Sequence, residues 1–401
     1  MIVVFRIGAT IPVPGVNTDI IKDMVGGNSL LSLYNMFTGG AFSNFTLFAL
    51  GIGPSITASI IIQLLTIGFE SLEELQKSGE EGKKKINKYT KYIALALAFV
   101  QGTAITLGII KGSGALISNS VFFIVTVILT LVSASMMLMW IGDKITEKGL
   151  GNGGSVIIFI GIISGIPKDV IATVSKIQSG DIQIWAAVLL VVVILITIAA
   201  VTYIQEATRK IPVQYAKRVV GRKMYGGQSS HIPMKVNQSG VIPVIFASSL
   251  LAFPQTIAIF MGADAQSFVQ IYLSPVSSPG VWIYRSLEVL LIVFFSYFYT
   301  TVSFNTEDIA NNMKNNGGFV PGIRPGQPTI DYLNRILSRL TLAGALFLAS
   351  IVMVSAIIMF FMKLNISLVG TSLLIVVGVA LELKRQLESN LVMRSYQGFL
   401  K

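Results

Sequence analysis

Long apolar runs alternate with short polar stretches along the whole chain. A helix needs about 20 apolar residues to cross roughly 30 Å of hydrocarbon. Nine runs approach or exceed that length, at 45–69, 92–110, 120–141, 155–174, 184–204, 240–261, 284–304, 340–362 and 366–383. They lack the alternation of apolar and polar residues that is typical of strands in membrane barrels. Each run therefore predicts a membrane-spanning helix.

A tenth apolar run opens the sequence and is short. Residues 1–11 are mostly apolar, and Pro12 and Pro14 follow them. Eleven helical residues extend about 16 Å at ~1.5 Å each, roughly half a bilayer. The run is also too short for a secretory signal with its cleavage site. We expect it to be the second half of a first span that begins before residue 1, so that the fold class is an all-α, ten-span membrane protein.

Composition narrows the possible classes of protein. The chain is 53% apolar and 12% charged, with a mean hydropathy of +0.74, whereas soluble domains are about 25% charged. A soluble enzyme, a disordered chain and a peripheral protein with a single anchor are excluded. The chain has no cysteine and one histidine, His231, so disulfides, thiol chemistry and a cysteine or histidine metal cluster are excluded. No cofactor is expected.

Lysine and arginine indicate the orientation. Of the 30 such residues, 23 lie in the stretches 70–91, 142–152, 205–238 and 305–339 or in the tail after 383. The other 7 lie on the alternate side. Positively charged loops face the cytoplasm, so these stretches and the C-terminus are predicted to be cytoplasmic. The net charge of +11 also suits an acidic or RNA-bearing partner.

Two motifs occur twice, in the same order. The pattern G-x-x-P-x-I-x-A-S occupies 51–59 and 240–248, and G-x-S-x-x-I-x-x-G occupies 153–161 and 370–378. The predicted spans give the two copies opposite topology. Inverted repeats of this kind place the functional path near the midplane, where the halves meet. We therefore predict an N-terminal half over 1–174 and a C-terminal half over 175–401.

The repeats supply aliphatic residues for the path. Ion-coupled transporters usually keep charges inside their spans; here Glu288 is the clear exception, and a structural or interfacial role is favoured for it. No paired carboxylates or other catalytic set is found in the spans, so an enzyme is not predicted. Helix packing would explain any one isoleucine, but repeat equivalence favours a shared ring that closes a pore by dewetting. The isoleucines concerned are Ile52, Ile56, Ile158, Ile245 and Ile375.

One cytoplasmic loop contains a stiff tip. The stretch 305–339 includes Gly317, Gly318 and the sequence PGIRPGQP at 321–328. This density of proline and glycine prevents helix formation there. The loop is either an ordinary cytoplasmic connection or a platform that docks an acidic protein or ribosomal RNA.

These residues, together with several longer stretches, resemble the SecY family, the channel subunits of the bacterial Sec protein translocon. The matching stretches include FRIGATIPVPG at 5–15, NMFTGGAFSNFTLFALGIGP at 35–54, ASIIIQLL at 58–65, GNGGSVIIFIG at 151–161, YAKR at 215–218, GVIPVIFASS at 240–249, FVPGIRPG at 319–326 and GTSLLIVVGVALE at 370–382. The resemblance implies a ten-span clamshell of two five-helix halves with a central hourglass pore in the bacterial cytoplasmic membrane. It further implies a channel that translocates unfolded secretory proteins outward and releases hydrophobic segments into lipid between spans 2 and 7.

The resemblance also implies roles for individual residues. Gly154 would join the five isoleucines in the pore ring, where the family usually has a bulky aliphatic residue. The lateral gate would include Thr57, Ser59, Ser248 and Phe253. An external plug would occupy about 31–43 and include Tyr34, Asn35, Met36, Phe37, Thr38, Gly39 and Gly40, with the two glycines breaking a continuous helix. The docking residues would be Lys217, Arg218 and chiefly Arg324.

The implied partners are the membrane subunits SecE and SecG, the SecA ATPase motor, the ribosome, signal peptides, unfolded preproteins and the lipid bilayer. SecA or the ribosome would supply the energy. The alternative is an inverted-repeat secondary transporter of a small solute, which predicts intramembrane charge at a solute site.

Overall fold

The computed structural model describes the chain except residues 28–34, 36–37, 119, 181–182, 216–217, 221–222, 226–228, 262, 274–279, 363–369 and 399–401. The N-terminal half contains the helices α1 (Ile2–Gly8), α2 (Thr18–Gly27), α3 (Gly53–Gly68), α4 (Glu70–Lys77), α5 (Glu80–Ala104), α6 (Val121–Lys148) and α7 (Gly153–Gln178). A π-helical segment, Ile105–Ile110, continues α5. The described part of this half is helical apart from turns and isolated bridges.

The C-terminal half contains the helices α8 (Ile184–Glu206), α9 (Ile242–Met261), α10 (Ala263–Tyr272), α11 (Gly280–Ser303), α12 (Thr306–Asn315), α13 (Gln327–Met362) and α14 (Thr371–Gly398). Five short strands lie between them: β1 (Thr208–Tyr215), β2 (Arg218–Val220), β3 (Lys223–Tyr225), β4 (Ser229–Lys235) and β5 (Gly318–Phe319). All five strands fall in stretches predicted to be cytoplasmic.

Each of the nine apolar runs overlaps a described helix, although 45–52 form turns and 366–369 lie outside the described residues. Among the described residues, six helices are long and apolar enough to cross a membrane, and a seventh is obtained if α3 and α4 form one bent span. The all-α membrane fold is thus confirmed, whereas the number ten stays a prediction. The bend between α3 and α4 is 103°, which turns α4 away from the direction of α3.

The two halves meet along two seams. On one side α9 packs against α3 and α5, and on the other α14 packs against α7. Helices of both seams contribute to one cluster of buried apolar side chains, which come from α1, α6 and α7 as well as from α9 and α14. This cluster contains the repeated isoleucines, so the seams frame the predicted pore.

The strands build a separate unit at the end of the helices. Antiparallel β1 lies between β4 and β5, with Gln214 opposite Phe319 and Tyr215 opposite Gly318. The sheet packs against α12 and the start of α13, and their buried apolar side chains form a second core. The loops 205–238 and 305–339, which are far apart in sequence, therefore fold together.

Candidate functional site

The predicted pore ring lies in the central apolar cluster. Ile52, Ile158, Ile245 and Ile375 are all buried there, and half-buried Ile56 packs against them. Ile52 precedes α3 and Ile56 lies one turn into it, while the other three come from α7, α9 and α14. Four elements from both halves thus bring their repeat-equivalent residues to one place, as the repeat argument requires. Their role as a pore ring stays a prediction.

Gly154 is placed beside this cluster. A Cβ atom added at Gly154 would lie 3.7 Å from Ile52 Cδ1 and 3.2 Å from Asn152 Oδ1. Asn152 caps α7, because its Oδ1 accepts a hydrogen bond from the Ser155 backbone N–H at 3.2 Å. A side chain at position 154 would therefore enter the space next to a predicted ring residue, close to the cap of its own helix.

The predicted plug is described only in part, since Tyr34, Met36 and Phe37 lie outside the described residues. Asn35 makes two hydrogen bonds to the described part of the plug. Its carbonyl accepts one from the Gly40 N–H at 2.9 Å, and its Oδ1 accepts one from the Ser43 N–H at 2.7 Å. Gly39 and Gly40 have φ angles of +65° and +84°, which glycine adopts without strain. The residues from Thr38 form a turn, and Ala41 is buried in the same cluster as the ring isoleucines.

The predicted gate residues lie on the facing helices α3 and α9. Thr57 and Ser248 are buried, and Ser59 and Phe253 are half-buried. The three hydroxyls donate to carbonyls of their own helices, within 3.1 Å, so none of these hydrogen bonds crosses the seam. Such bonds leave the hydroxyls satisfied inside an apolar environment.

The sequence interpretation missed the residues that hold this seam together. Ile60 is 2% exposed and lies in a cluster with Val244 and Ala247 of α9 and with side chains of α11. Ile56 and Leu64, one turn away on either side of Ile60, pack against the same cluster. Residues four apart share one face of a helix, so the spacing of these three residues could have identified the face of α3 that closes the seam.

The predicted docking residues lie on the joined loops 205–238 and 305–339. Arg324 is exposed, and its carbonyl accepts a hydrogen bond from Thr329 Oγ1 at 2.9 Å. It forms no ion pair with any residue that the structure describes. Arg218 lies opposite Tyr225 in the antiparallel pairing of strands β2 and β3. Lys217 lies outside the described residues. The Arg324 side chain is therefore exposed at the tip of the loop 305–339, where a partner could contact it.

The base of the cytoplasmic unit carries further charges. Lys235, at the end of β4, is half-buried. Burial lowers the pKa of its ammonium, Arg385 lowers it further, and Glu382 acts in the opposite direction. Arg385 donates a hydrogen bond to the Gln205 carbonyl at the end of α8. The bond from Arg385 fastens α14 to α8.

The one carboxylate expected inside a span is ion-paired. Glu288 of α11 is buried, and its Oε2 lies 2.6 Å from Arg285 Nη1. Arg285 also lies over the ring of Tyr284, 5.5 Å from its centroid. This pairing supports the structural role predicted for Glu288. Among the described residues no group of three or more His, Asp or Glu could hold a metal ion.

Comparison with known proteins gives a consistent result. The family model that matches the chain is SecY, over residues 46–384. The "Protein translocase subunit SecY" of Streptomyces galbus is 43% identical over 420 aligned positions, covering 100% of this chain and 95% of that protein. The protein of the same name from Aquifex aeolicus is 42% identical over 409 positions, covering 100% and 94%.

Solved structures have the same fold at low identity. "The structure of a protein conducting channel" matches with a TM-score of 0.71 and 20% identity, over 97% of this chain and 90% of the other. The Sec61 chain of a canine ribosome-channel complex matches with a TM-score of 0.66 and 18% identity, over the same shares of the two chains. A third structure matches with a TM-score of 0.68. Its description states that the plug domain of the SecY protein stabilises the closed state of the translocation channel.

Proposed function

The chain belongs to the SecY family, and we propose on that basis that it is the protein-conducting channel subunit of a Sec translocase. It translocates unfolded secretory proteins across the membrane and releases hydrophobic segments sideways into lipid. The observation that carries this proposal is the convergence of Ile52, Ile56, Ile158, Ile245 and Ile375 in one apolar cluster between the halves.

The chemistry of that cluster suits a channel for polypeptides. A constriction lined by aliphatic side chains excludes water and ions by dewetting, yet it binds no particular solute group. Aliphatic side chains can also move apart around a chain of any sequence. A transporter of one small solute would instead need polar or charged groups at the site, and the described intramembrane carboxylate Glu288 is already paired with Arg285.

The two seams suggest how the channel opens. We propose that 1–174 and 175–401 move as two halves. The seam between α3 and α9 parts as the lateral gate, and the seam between α7 and α14 stays closed as the hinge. The first seam contains apolar side chains around Ile60, which lose little by exchanging protein neighbours for lipid. The second has polar links near the cytoplasmic face: Gln386 accepts a hydrogen bond from the Gly151 N–H.

We propose that the cytoplasmic unit docks the partner that supplies the energy, SecA or a ribosome, through Arg324 with support from Lys217 and Arg218. The pairing of β1 with β5 places both loops on one platform, and an exposed guanidinium pairs well with carboxylate or phosphate. SecE and SecG are the expected membrane subunits. The placement is the bacterial cytoplasmic membrane, with the C-terminus and the basic loops in the cytoplasm. The chain itself performs no catalytic step and needs no cofactor.

Reconstituted transport tests the function. Proteoliposomes that contain this chain with SecE and SecG subunits should protect a preprotein from added protease when SecA and ATP are supplied. Arg324→Glu should abolish this protection, because the charge at the tip is reversed. Lys111→Glu is the matched control: it reverses an exposed cation in the turn after α5, which is predicted to lie on the outer side.

The outcomes separate the candidate functions. Protection by the wild-type chain and by Lys111→Glu, but not by Arg324→Glu, supports both the channel and the docking surface. Normal transport by Arg324→Glu contradicts the docking assignment alone. Saturable uptake of a small solute without preprotein transport would contradict the channel and support the transporter.

A further inference from the structure

Two glycines from distant parts of the chain bring their backbones into direct contact. A Cβ atom added at Gly39 would lie only 2.5 Å from Gly161 Cα and 3.0 Å from the Gly161 carbonyl carbon and oxygen. In the opposite direction, a Cβ added at Gly161 would lie 3.3 Å from Gly39 Cα and 3.5 Å from Gly39 N. The turn over 38–43, the last part of the predicted plug, thus lies directly on the main chain of α7, with no side chain between them.

The plug side of this contact is a compact unit. Besides the bonds to Asn35, the Phe42 N–H donates to Thr38 Oγ1 at 3.2 Å, and Ser43 Oγ donates to the Gly40 carbonyl at 2.9 Å. The turn is therefore held together by its own hydrogen bonds.

The α7 side is braced by α1. Ser164 Oγ donates to the Gly161 carbonyl at 2.7 Å, and Arg6 Nη1 donates to Ser164 Oγ, also at 2.7 Å. A charged donor makes the stronger kind of hydrogen bond. Arg6 therefore fixes the turn of α7 that contains Gly161, and this bracing does not involve the plug turn.

The repeat-equivalent glycine has a different neighbour. Gly378 occupies the position of Gly161 in the second copy of the motif, and a Cβ added there would lie 2.0 Å from Val241 Cγ1. In the C-terminal half, Gly378 allows Val241, just before α9, to approach closely. In the N-terminal half, Gly161 allows the plug turn to approach closely. The motif thus provides a close approach in both halves, but only the first involves the predicted plug.

We propose that Gly161, braced by Ser164 and Arg6, is the residue that positions the plug in the closed channel. This inference rests on the proposed function. The contact itself is made by backbone atoms of two glycines, so its geometry tolerates no added side chain, while Ala41 and Phe42 of the same turn are buried against other parts of the protein. The contact therefore sets the resting position of the plug turn on α7.

The test measures the position of the plug directly. The chain has no cysteine, so Ser43→Cys, at a half-buried position of the turn, gives a single reactive thiol in the complete channel complex. Gly161→Val should raise its rate of maleimide labelling several-fold, and Gly161→Ala, whose added Cβ would lie 3.3 Å from Gly39 Cα, should raise it less. Ion conductance in planar bilayers should increase in the same order. The matched control is Gly165, one helical turn further along α7, where an added Cβ meets nothing within 4 Å; its Ala and Val variants should match the parent.

A second background distinguishes positioning of the plug from general damage. In a channel lacking residues 31–43, Gly161→Val should add nothing to the conductance, because the body that it displaces is gone. Unchanged labelling in the Gly161 variants would overturn the proposal, and so would extra conductance from Gly161→Val without the plug. If labelling responds as expected while the parent channel transports no preprotein, the positioning role of Gly161 is supported and the proposed function is contradicted.

Discussion

The apolar seam between α3 and α9 should control how readily the gate opens, and Ile60 tests it. Its side chain is 2% exposed and packs in the cluster that joins α3 to α9 and α11. We expect Ile60→Ala to favour the open gate. The matched control is Ile67→Ala, the same substitution near the end of the same helix, at a side chain that is 55% exposed.

The size of the effect follows from what Ile60 contacts in each state. A buried Ile→Ala change costs about 2–5 kcal/mol in a water-soluble core. Roughly 2.4 kcal/mol of that is transfer of three carbon atoms from water, at about 0.8 kcal/mol each. In an open gate the side chain would face lipid or the passing segment, so this transfer part cancels. The remaining packing loss, about 1 kcal/mol at the centre of that range, acts on the closed state alone and shifts the opening equilibrium about 5-fold.

The assay is export of a preprotein whose signal sequence has been weakened, because such a substrate depends on spontaneous opening of the gate. Ile60→Ala should export it several-fold faster than the wild-type chain, while a preprotein with an intact signal shows little change. Ile67→Ala should behave as wild type. Equal export by the wild-type chain and by Ile60→Ala would refute the reasoning, and so would an equal gain from the control variant.

Three further predictions address the gate, the ring and the buried charge. Cysteines at Thr57 and Phe253 joined by a short crosslinker should stop preprotein export and a long linker should restore it; if both linkers behave alike, these helices do not form the gate. Deletion of 31–43 should make the channel leak small ions, and Gly154→Ile should reduce that leak, because an added Cβ lies 3.7 Å from a ring isoleucine; an equal leak with and without it would show that position 154 does not seal the pore. Arg285→Met should destabilise the protein in detergent by about 3–5 kcal/mol, since it leaves a buried carboxylate unpaired, and neutralising that carboxylate as well should recover most of the loss; an unchanged unfolding midpoint would contradict this.

The helical framework was predictable because a helix that crosses the bilayer needs a long apolar segment. Such segments stand out clearly from the short polar stretches between them. The 103° bend between α3 and α4 was not predicted, although Gly68 and the glutamates from Glu70 onward mark it in the sequence. The run 45–69 also overstates its helix, because residues 45–52 form turns before α3 begins. Hydropathy alone does not distinguish a buried turn from a helix.

The cytoplasmic sheet was missed for a different reason. β1 pairs with β5 across more than 100 residues of intervening sequence, and β5 has only two residues. Short strands with a long separation leave no periodic pattern in a single sequence. The positions of the ring isoleucines, in contrast, could be inferred, because an internal repeat supplies the comparison that one sequence otherwise lacks. Ile60 lies outside both repeated motifs, so the repeat did not reveal it, although its spacing from Ile56 and Leu64 marks one face of α3.

The helix α13 gives the cytoplasmic tip a mechanical connection to the membrane. It runs unbroken from Gln327 to Met362, about 54 Å at ~1.5 Å per residue, and it begins three residues after Arg324. Thr329 bonds to the Arg324 carbonyl, so the tip is fastened to the first turn of this helix. If a partner docks at the tip as proposed, a force that it applies there acts on one continuous helix. Movement of the tip would then shift the far end of α13, so that the docking surface would transmit movement as well as bind its partner.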